Sequence, residues 1–381
     1  MAYTKPNAPP VAVVGVGNTR YGLMPEYDAY DLGVIALKQA LDEAQLPIES
    51  IDGLILSRVP DYQRFAEMCG INPAYTLTTP GHGRFSGICV QTAVAVLQAG
   101  LAKTVALVYG NNGKSEGQRY GGDTDSYGSG GAGFWFPYGM TSPGAFHALM
   151  MQSHKHQYGT TAEQLAEIPM AFRHHASLNP QAVMRQPFDL ETYLNSRYIC
   201  EPLRLLDYCL INDGGVALIL TTEDRAKDLP QKPVYVRSMA QRSSFTDSTF
   251  PPEYFWRGPM QSASQETFSR LDVKQADMDA LMVYDNFSPT VLFSLEGFGY
   301  CNVGEGGSFI EGGRLKLDGQ FPTNTSGGHL SESYMQGWAL QLEAVRQLRG
   351  SCGDRQVANA RNIHYMAAAP VITSIVYGDQ P

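Results

Sequence analysis

Tyr284 and Tyr334 are the residues of this chain best suited to carry a proton to or from a substrate. Each lies in a short polar stretch between a pattern typical of a strand and a pattern typical of a helix. An unperturbed phenol has a pKa of about 10. This value is closer than the pKa of histidine to the pKa of an alcohol. A tyrosine can therefore exchange a proton with a hydroxyl group through a hydrogen bond. The two stretches predict a site for acid–base chemistry.

The residues around both tyrosines are mainly polar or glycine. The first stretch is Tyr284-Asp285-Asn286-Phe287, and the second contains Asn324, Ser326, Gly327, Gly328, His329 and Tyr334. His329 precedes Tyr334 by five residues and could tune it. Because the chain contains 21 tyrosines, position rather than residue type selects these two. The alternative interpretation is a structural phenol that hydrogen-bonds backbone and packs a loop.

Composition limits the classes of partner. The chain has 381 residues, of which 43% are hydrophobic and 17% are charged, as in a well-packed globular protein. This length is more than one compact core usually holds, so we expect two domains or a duplicated unit. The net charge of -9 and the absence of a Lys/Arg cluster in the sequence argue against nucleic acid as a partner.

The cysteines and histidines do not suggest a metal site. The six cysteines are scattered and form no C-x-x-C pair. We interpret His154, His156, His174 and His175 as surface or helix-face residues, because they have no Asp or Cys partners at metal spacing. The N-terminus does not resemble a signal peptide, and no apolar run approaches the roughly 20 residues of a membrane span. We therefore expect a cytoplasmic protein with free thiols.

Apolar runs alternate with helical patterns in the first part of the chain. Strands are predicted at 10–15, 51–56, 104–109 and 215–220, and Asp31 is the candidate N-cap of an amphipathic helix. A helix at 86–98, capped by Ser86, is apolar nearly all round and should lie inside the protein. The alternation predicts an α/β protein with parallel strands.

Residues 111–205 interrupt this alternation with a stretch rich in Gly, Tyr and Ser, followed by two or three amphipathic helices. We interpret 111–205 as an insertion on one face of the sheet, where substrate-facing loops are common. Strand and helix patterns return at 234–239, 276–283, 331–348 and 363–377, in an order that roughly repeats the first part. The chain is therefore predicted to have an N-terminal half, 1–230, and a C-terminal half, 231–381.

Several motifs occur in order over nearly the whole chain. They are Tyr158-Gly159-Thr160-Thr161, His175-Ala176-Ser177-Leu178-Asn179-Pro180, Glu201-Pro202-Leu203-Arg204-Leu205-Leu206-Asp207, Asp213-Gly214-Gly215-Val216-Ala217 and the stretch that begins at Asn324. Together they resemble the thiolase superfamily, specifically the sterol carrier protein-type or lipid-transfer thiolases. The resemblance implies a thiolase fold, with two duplicated β-α-β-α-β-α-β-β halves in five layers and an active site where the halves meet.

The residues that carry chemistry in that family are changed in this chain. Family members that perform Claisen chemistry have a nucleophilic cysteine in a Cys-x-Ser-Gly turn, and Arg84-Phe85-Ser86-Gly87 stands at that position. Cys89 lies inside the following helix, where we expect a small core residue. Tyr284 and Tyr334 replace the family's two key histidines. The family's second cysteine has no counterpart at 366–370.

This pattern of losses resembles the thiolase-like steroid side-chain aldolases of bacterial sterol catabolism. Without a nucleophilic cysteine the acyl-enzyme route is closed, whereas donors to the thioester carbonyl would still stabilise an enolate. The resemblance implies retro-aldol cleavage of a β-hydroxyacyl-CoA to a ketosteroid or aldehyde and a short acyl-CoA such as propionyl-CoA. One tyrosine would take the β-hydroxyl proton and the other would protonate the α-carbon, in either assignment.

The resemblance also implies ligands and partners. Candidate substrate-binding residues are Asp285, Asn286, Gly328, His329 and Arg84, although Arg84 could instead fill the space left by the cysteine turn. No cofactor of the chain's own is implied, and coenzyme A enters as part of the substrate. A homodimer packed edge to edge is implied, with a small OB-fold, zinc-ribbon acyl-CoA-binding protein completing a heterotetramer. Aromatic residues of the insertion would suit a large flat apolar ligand, namely Phe134, Trp135, Phe136 and Tyr138.

Two other functions stay open at this point. A catalytically inactive lipid-transfer or acyl-CoA-binding subunit would be indifferent to Tyr334→Phe. An acyltransferase with an unrecognised nucleophile such as Cys89 would form a covalent acyl-enzyme and be sensitive to thiol alkylation.

Overall fold

The computed structural model describes residues 8–81, 85–118, 138–140, 142–244, 255–369 and 371–381. The first part of the chain forms β1 (Val11–Asn18), α1 (Ala29–Ala44), β2 (Gly53–Ser57), α2 (Tyr62–Cys69), β3 (Tyr75–Thr79), α3 (Phe85–Gln98) and β4 (Thr104–Asn111). Next come α4 (Pro143–Tyr158), α5 (Ala162–Ser177), α6 (Leu190–Asn195) and the short pair β5 (Tyr198–Cys200) and β6 (Leu203–Arg204). These last elements lie within the segment predicted as an insertion.

The remainder of the chain returns to the sheet. It forms β7 (Gly214–Thr222), α7 (Glu223–Ala226), β8 (Val234–Ser243), α8 (Arg257–Phe268), β9 (Ala280–Val283), α9 (Ser288–Gly297), α10 (Gly306–Ile310), α11 (Gly328–Ser331), α12 (Trp338–Arg349), β10 (Asn362–Ala367) and β11 (Val371–Gly378). No helix in the described ranges is long and apolar enough to cross a membrane.

One pattern of strand pairing occurs twice in the main sheet. The strand order is β3-β2-β4-β7-β1-β8-β11-β10-β9. In the first half β2 is parallel to β4, while β7 is antiparallel to β4 and β1. In the second half β9 is parallel to β10, while β11 is antiparallel to β10 and β8. The two halves join where β1 pairs with β8. The repeat matches the duplicated architecture expected from the sequence.

The parallel arrangement predicted from the alternating pattern does not extend to β7 or to β11. Each of these strands runs antiparallel to its neighbours. Because β4 and β7 are antiparallel neighbours, the segment that connects them leaves and re-enters the sheet at the same end. Sequence patterning could not reveal this direction, because β4 and β7 are buried on both faces and read as continuous apolar runs.

Helices cover the outer faces of both halves of the sheet, and two further helices fill the space between the inner faces of the halves. The helices α3 and α12 share one apolar core with the inner faces of both halves, including Val94, Leu107, Leu342 and Ile375. A second core packs α1 and α2 on the outer face of the first half. A third packs α4, α5, α8 and α9 on the outer face of the second half. The five predicted layers are therefore present. They are the outer helices of the first half, the first half of the sheet, the central helices α3 and α12, the second half of the sheet, and the outer helices of the second half.

Two predicted helix starts differ from the structure. The N-cap of α1 is Asp28, whose carboxylate accepts the Asp31 N–H, while the Asp31 carboxylate accepts the Asp28 N–H. The predicted cap, Asp31, is therefore the third helical residue of a capping box. Ser86 lies inside α3, and its hydroxyl is 2.8 Å from Oη of Tyr365.

The helix predicted at 331–348 is wrong in its first part. The structure ends α11 at Ser331 and begins α12 at Trp338. The backbone is left-handed at Gln336, with a φ of 50°, and at Gly337, with a φ of 90°. A right-handed helix cannot continue through such residues. The resulting turn, residues 332–337, contains Tyr334.

Candidate active site

Tyr284 follows directly after β9, at the end of the strand. Its backbone N–H donates to the carbonyl of Met366 at 2.8 Å, which extends the parallel pairing of β9 with β10 by one residue. The side chain is 6% exposed and packs in the core that contains α3 and α12. The phenol is therefore held at a carboxyl end of the sheet, between the two halves.

Tyr334 reaches the same place from the turn between α11 and α12. Its backbone N–H donates to Oδ1 of Asn212 at 2.7 Å, a contact across 122 residues of sequence. The residue is half-buried, whereas its neighbours Ser333 and Met335 are buried. The interrupted helix thus places a partly accessible phenol at the junction of the halves.

The two phenols form one hydrogen-bonded pair. Oη of Tyr284 and Oη of Tyr334 are 2.8 Å apart, and either oxygen can be the donor. The ring centroids are 6.5 Å apart and the ring planes are inclined by 62°. This separation is normal for a hydrogen bond between hydroxyl groups. A proton given to one phenol can therefore be passed on from the other.

His329 packs against both tyrosines and anchors α12. Its ring makes edge contacts with Tyr284 at 4.8 Å and with Tyr334 at 5.2 Å between centroids. Nε2 of His329 accepts the backbone N–H of Gly337 at 2.9 Å, and we therefore assign the proton of the ring to Nδ1. Because Nε2 is occupied by Gly337, His329 supports the phenols through packing.

Asp285 connects the Tyr284 loop to α11. Its carboxylate accepts the backbone N–H of His329 at 3.0 Å and that of Leu330 at 3.2 Å. Oδ1 also lies 3.0 Å from Nδ1 of His329, an ion-pair distance without hydrogen-bond geometry. Asp285 and His329 are both fully buried. The carboxylate satisfies backbone donors that the start of a helix leaves without partners.

Gly328 has room for a hydrogen atom only. Its backbone is left-handed, with a φ of 59°, and a Cβ atom added there would lie 2.3 Å from Oδ2 of Asp285. The close approach of the α11 backbone to the Asp285 carboxylate depends on this glycine.

Gly328→Ala is expected to lower the free energy of unfolding by about 2–4 kcal/mol, from left-handed backbone strain and steric overlap with Asp285. Urea unfolding measures this loss. Gly350→Ala is the matched control, because Gly350 is also left-handed but its Cβ would meet nothing within 4 Å. The control should lose only about 1–2 kcal/mol, from backbone strain. Equal losses in the two variants would contradict the steric argument.

Asn286 lies in the loop after β9, and Asn324 holds the end of β9 from elsewhere in the chain. Asn286 is half-buried, and its Oδ1 accepts the Thr290 hydroxyl at 2.8 Å. Asn324 is fully buried and pairs with the backbone of Val283, accepting its N–H at 2.7 Å and donating to its carbonyl at 2.8 Å. The amide of Asn324 thereby makes the two hydrogen bonds that a neighbouring strand would make to the last residue of β9.

The remaining candidates lie elsewhere or outside the described residues. Arg84 and the aromatic residues at 134–136 fall in ranges that the structure does not describe, and Tyr138 is strongly exposed. Cys89 is fully buried in α3, 3.5 Å from the Thr79 hydroxyl, and burial raises the pKa of its thiol to about 12. The interpretation of Cys89 as a core residue is confirmed.

Two of the histidines interpreted as surface or helix-face residues are in fact fully buried. His154 bridges Glu296 at 2.9 Å and Thr160 at 3.0 Å. His175 lies 3.3 Å from the carbonyl of Asn324, and burial lowers the pKa of its ring to about 4. Within the described ranges, no three His, Cys, Asp or Glu side chains gather as a metal ion would require.

Comparison with known proteins identifies the family. A family model described as Thiolase C-terminal domain-like matches residues 246–374. The chain is 32% identical over 377 residues to the steroid side-chain-cleaving aldolase of Thermomonospora curvata, covering 95% of this chain and 96% of that protein. It is also 32% identical over 378 residues to the 17-hydroxy-3-oxo-4-pregnene-20-carboxyl-CoA lyase of Mycobacterium tuberculosis, covering 95% and 97%.

A solved structure named Ltp2-ChsH2(DUF35) aldolase superposes on the chain with a TM-score of 0.89 at 30% identity. The superposition covers 98% of this chain and 99% of that one. The predicted thiolase fold is therefore confirmed, and the similarity extends over nearly the full length of both relatives. The chain belongs to the thiolase superfamily, in its family of thiolase-like aldolases.

Proposed function

We propose that the chain cleaves a β-hydroxyacyl-CoA by a retro-aldol reaction, and that Tyr284 and Tyr334 are its catalytic residues. The observation that carries this proposal is the 2.8 Å hydrogen bond between the two phenols at the junction of the halves. A retro-aldol cleavage moves one proton from an oxygen to a carbon of the same substrate. A pair of hydrogen-bonded phenols can move that proton without acquiring a net charge.

The reaction needs only the atoms of the substrate and the protons of the two phenols. One phenol accepts the β-hydroxyl proton while its own proton passes to the other phenol. The bond between the carbinol carbon and the α-carbon breaks, and its electron pair enters the thioester as an enolate. In the same concerted step the second phenol gives its own proton to the α-carbon, so that neither phenol holds two protons at any time. The products are a ketone and an acyl-CoA that is shorter by the carbons of the ketone, and no water or oxidant is consumed.

Loop residues support the pair in different ways. We propose that the amide nitrogen of Asn286 donates to the thioester carbonyl, because Oδ1 is already engaged by Thr290. Asp285, Gly328 and His329 are buried, so we propose that they act on the substrate through the backbone that they hold. Contact of Arg84 with the thioester is also part of the proposal.

The proposed substrate is a steroid side-chain thioester. Two relatives that match this chain over most of its length are named for cleaving a steroid side chain and a pregnene carboxyl-CoA. A substrate of the second type carries its hydroxyl group on the carbon β to the thioester, as the reaction requires. Cleavage would give a 17-ketosteroid and propionyl-CoA, with coenzyme A entering and leaving as part of the substrate.

We propose a DUF35 partner and a homodimer. The superposed solved structure is named as a complex with a DUF35 protein, which supports an acyl-CoA-binding partner of the OB-fold, zinc-ribbon type. The strand β3 lies at one end of the strand order, and its side chains are mostly not buried. An edge of this kind offers unpaired backbone groups to a second copy. Two chains and two partners would form a heterotetramer.

The test is incubation of the purified chain with 17-hydroxy-3-oxo-4-pregnene-20-carboxyl-CoA, with and without a DUF35 partner. Mass spectrometry should detect a 17-ketosteroid and propionyl-CoA in equal amounts. Intact substrate under both conditions, with binding detected by calorimetry, would instead support the acyl-CoA-binding subunit. Size-exclusion chromatography with light scattering measures the assembly in the same samples.

The acyltransferase alternative predicts a reactive thiol, and we expect none at Cys89. Because burial raises the pKa of this thiol to about 12, only about one molecule in 10⁴–10⁵ would carry a thiolate near neutral pH. Iodoacetamide should therefore leave Cys89 unmodified in the folded protein, and cleavage activity should survive the treatment. Protein unfolded in urea is the control, in which all six cysteines should react. An acyl group found on the Cys89 peptide after turnover would establish the acyltransferase instead.

A further inference from the structure

A single segment of the chain, residues 209–212, makes hydrogen bonds to three places around the tyrosine pair: the loop after β9, the helix α11 and the turn that follows α11. The N–H of Cys209 donates to the carbonyl of Asn286 at 3.0 Å. The N–H of Leu210 donates to the carbonyl of His329 at 3.0 Å. Oδ1 of Asn212 accepts the N–H of Tyr334 at 2.7 Å. We call residues 209–212 the brace, because they connect the loop after β9 to α11 and to the turn that follows it.

Asn212 is the part of the brace that contacts a tyrosine, and it is itself held in place. It is 1% exposed. Its amide Nδ2 donates to the carbonyl of Asp213 at 3.1 Å, and its own carbonyl accepts the Asn111 side chain at 2.9 Å from the end of β4. Both ends of the residue are therefore fixed to the first half of the chain, and Oδ1 presents a rigid acceptor to the second half.

The backbone of Tyr334 needs such an acceptor because it lies in a turn. The turn separates α11 from α12, and left-handed residues at Gln336 and Gly337 interrupt the helix after Tyr334. The position of the Tyr334 backbone sets the gap between its Oη and that of Tyr284, which is 2.8 Å. A shift of about 1 Å in a catalytic group can cost about 100-fold in rate.

We infer that Asn212 is a positioning residue of the reaction, which acts by holding Tyr334 within hydrogen-bonding distance of Tyr284. This inference rests on the proposed function, since it concerns the geometry of the proposed proton relay. Asn212 contacts the backbone of Tyr334 and lies outside the proposed proton path. It connects the N-terminal half, through Asn111, to the phenol that the C-terminal half presents.

Two substitutions at Asn212 separate the acceptor from the rest of the side chain. Asn212→Leu removes both the acceptor for Tyr334 and the donor to Asp213. Asn212→Asp keeps an acceptor oxygen and loses the same donor. With 17-hydroxy-3-oxo-4-pregnene-20-carboxyl-CoA as the probe, we expect Asn212→Leu to lower kcat about 100-fold with little change in KM. Asn212→Asp should recover most of that loss, although both variants should have a lower Tm.

Thr267→Val is the control for loss of a buried hydrogen-bonding side chain, since Thr267 is fully buried and bonds Ala263 and Ser374 on the outer face of the second half. It should lower the Tm and leave kcat near the wild-type value. A crystal structure of Asn212→Leu should also show the Oη–Oη distance beyond 3.5 Å, a hydrogen-bond limit.

These variants distinguish a failure of the role inferred for Asn212 from a failure of the proposed function. If Tyr334→Phe is inactive and Asn212→Leu keeps the wild-type kcat, the role of Asn212 is refuted and the reaction stands. The role is also refuted if Asn212→Leu and Asn212→Asp lose kcat equally. If Tyr334→Phe cleaves the probe at the wild-type rate, the proton relay itself is refuted, and the role of Asn212 with it.

Discussion

Tyr334→Phe is expected to lower kcat for cleavage of 17-hydroxy-3-oxo-4-pregnene-20-carboxyl-CoA by about 10²–10⁴-fold, the usual contribution of a general acid–base group. Phenylalanine preserves the ring that packs against His329 and the backbone hydrogen bond to Asn212. It removes the oxygen that lies 2.8 Å from Oη of Tyr284. The variant should therefore fold and bind substrate, with KM close to the wild-type value. Steady-state release of the 17-ketosteroid measures kcat.

Tyr300→Phe is the matched control for the loss of a buried phenol oxygen. Oη of Tyr300 is 2.7 Å from Nδ1 of His364, in the core that packs on the outer face of the second half. Its removal should reduce the free energy of unfolding by about 1–3 kcal/mol, because a buried histidine nitrogen loses its partner. The kcat of this variant should remain near the wild-type value. A Tyr334→Phe enzyme that is no slower than Tyr300→Phe would eliminate Tyr334 from the relay.

Local sequence patterns predicted much of the fold for a physical reason. Strands buried on both faces read as apolar runs, and β1, β2, β4 and β7 all lie near their predicted positions. The buried helix α3 was predicted because its apolar residues occur nearly all round. Strand direction was beyond such patterns, since a strand with two buried faces looks the same in either direction. The thiolase resemblance supplied the architecture that the patterns could not.

The candidate site was predictable only in part. The resemblance drew attention to Tyr284 and Tyr334, and the structure brings these two side chains together. Their catalytic role stays a prediction. The role of Asn212 in holding Tyr334 had no local signal, because the two residues are separated by 122 positions. The break between α11 and α12 was also missed, since Gln336 adopts a left-handed backbone in a stretch that otherwise favours a helix.

Burial of polar residues near the site was the hardest feature to predict. Residues 323–333 contain mostly polar side chains and glycine, yet all of them are buried. Glu332 shows the reason, because its carboxyl group meets Asn179 at 3.1 Å and the Ser326 hydroxyl at 2.7 Å. Burial raises the pKa of Glu332 to about 8. These polar groups satisfy one another at the junction of the halves, so a polar sequence there does not indicate exposure.

Tyr284→Phe is expected to lower kcat by an amount similar to that of Tyr334→Phe, because each phenol completes the same proton path. Tyr284 is only 6% exposed, so its ring should stay packed in the core and the variant should remain folded. The variant Tyr284→Phe/Tyr334→Phe tests whether the pair acts as a unit. If the two phenols made independent contributions of about 10³-fold each, the double variant would lose about 10⁶-fold.

We expect the double variant instead to be about as slow as the slower single variant, because removing either phenol already breaks the relay. The kcat values of the wild type, both single variants and the double variant form a complete double-mutant cycle. A multiplicative loss would mean that the phenols act in separate steps, with no proton passing between them. In that case the 2.8 Å hydrogen bond would serve to align the two rings. The cycle thereby distinguishes a shared proton path from two adjacent acid–base groups.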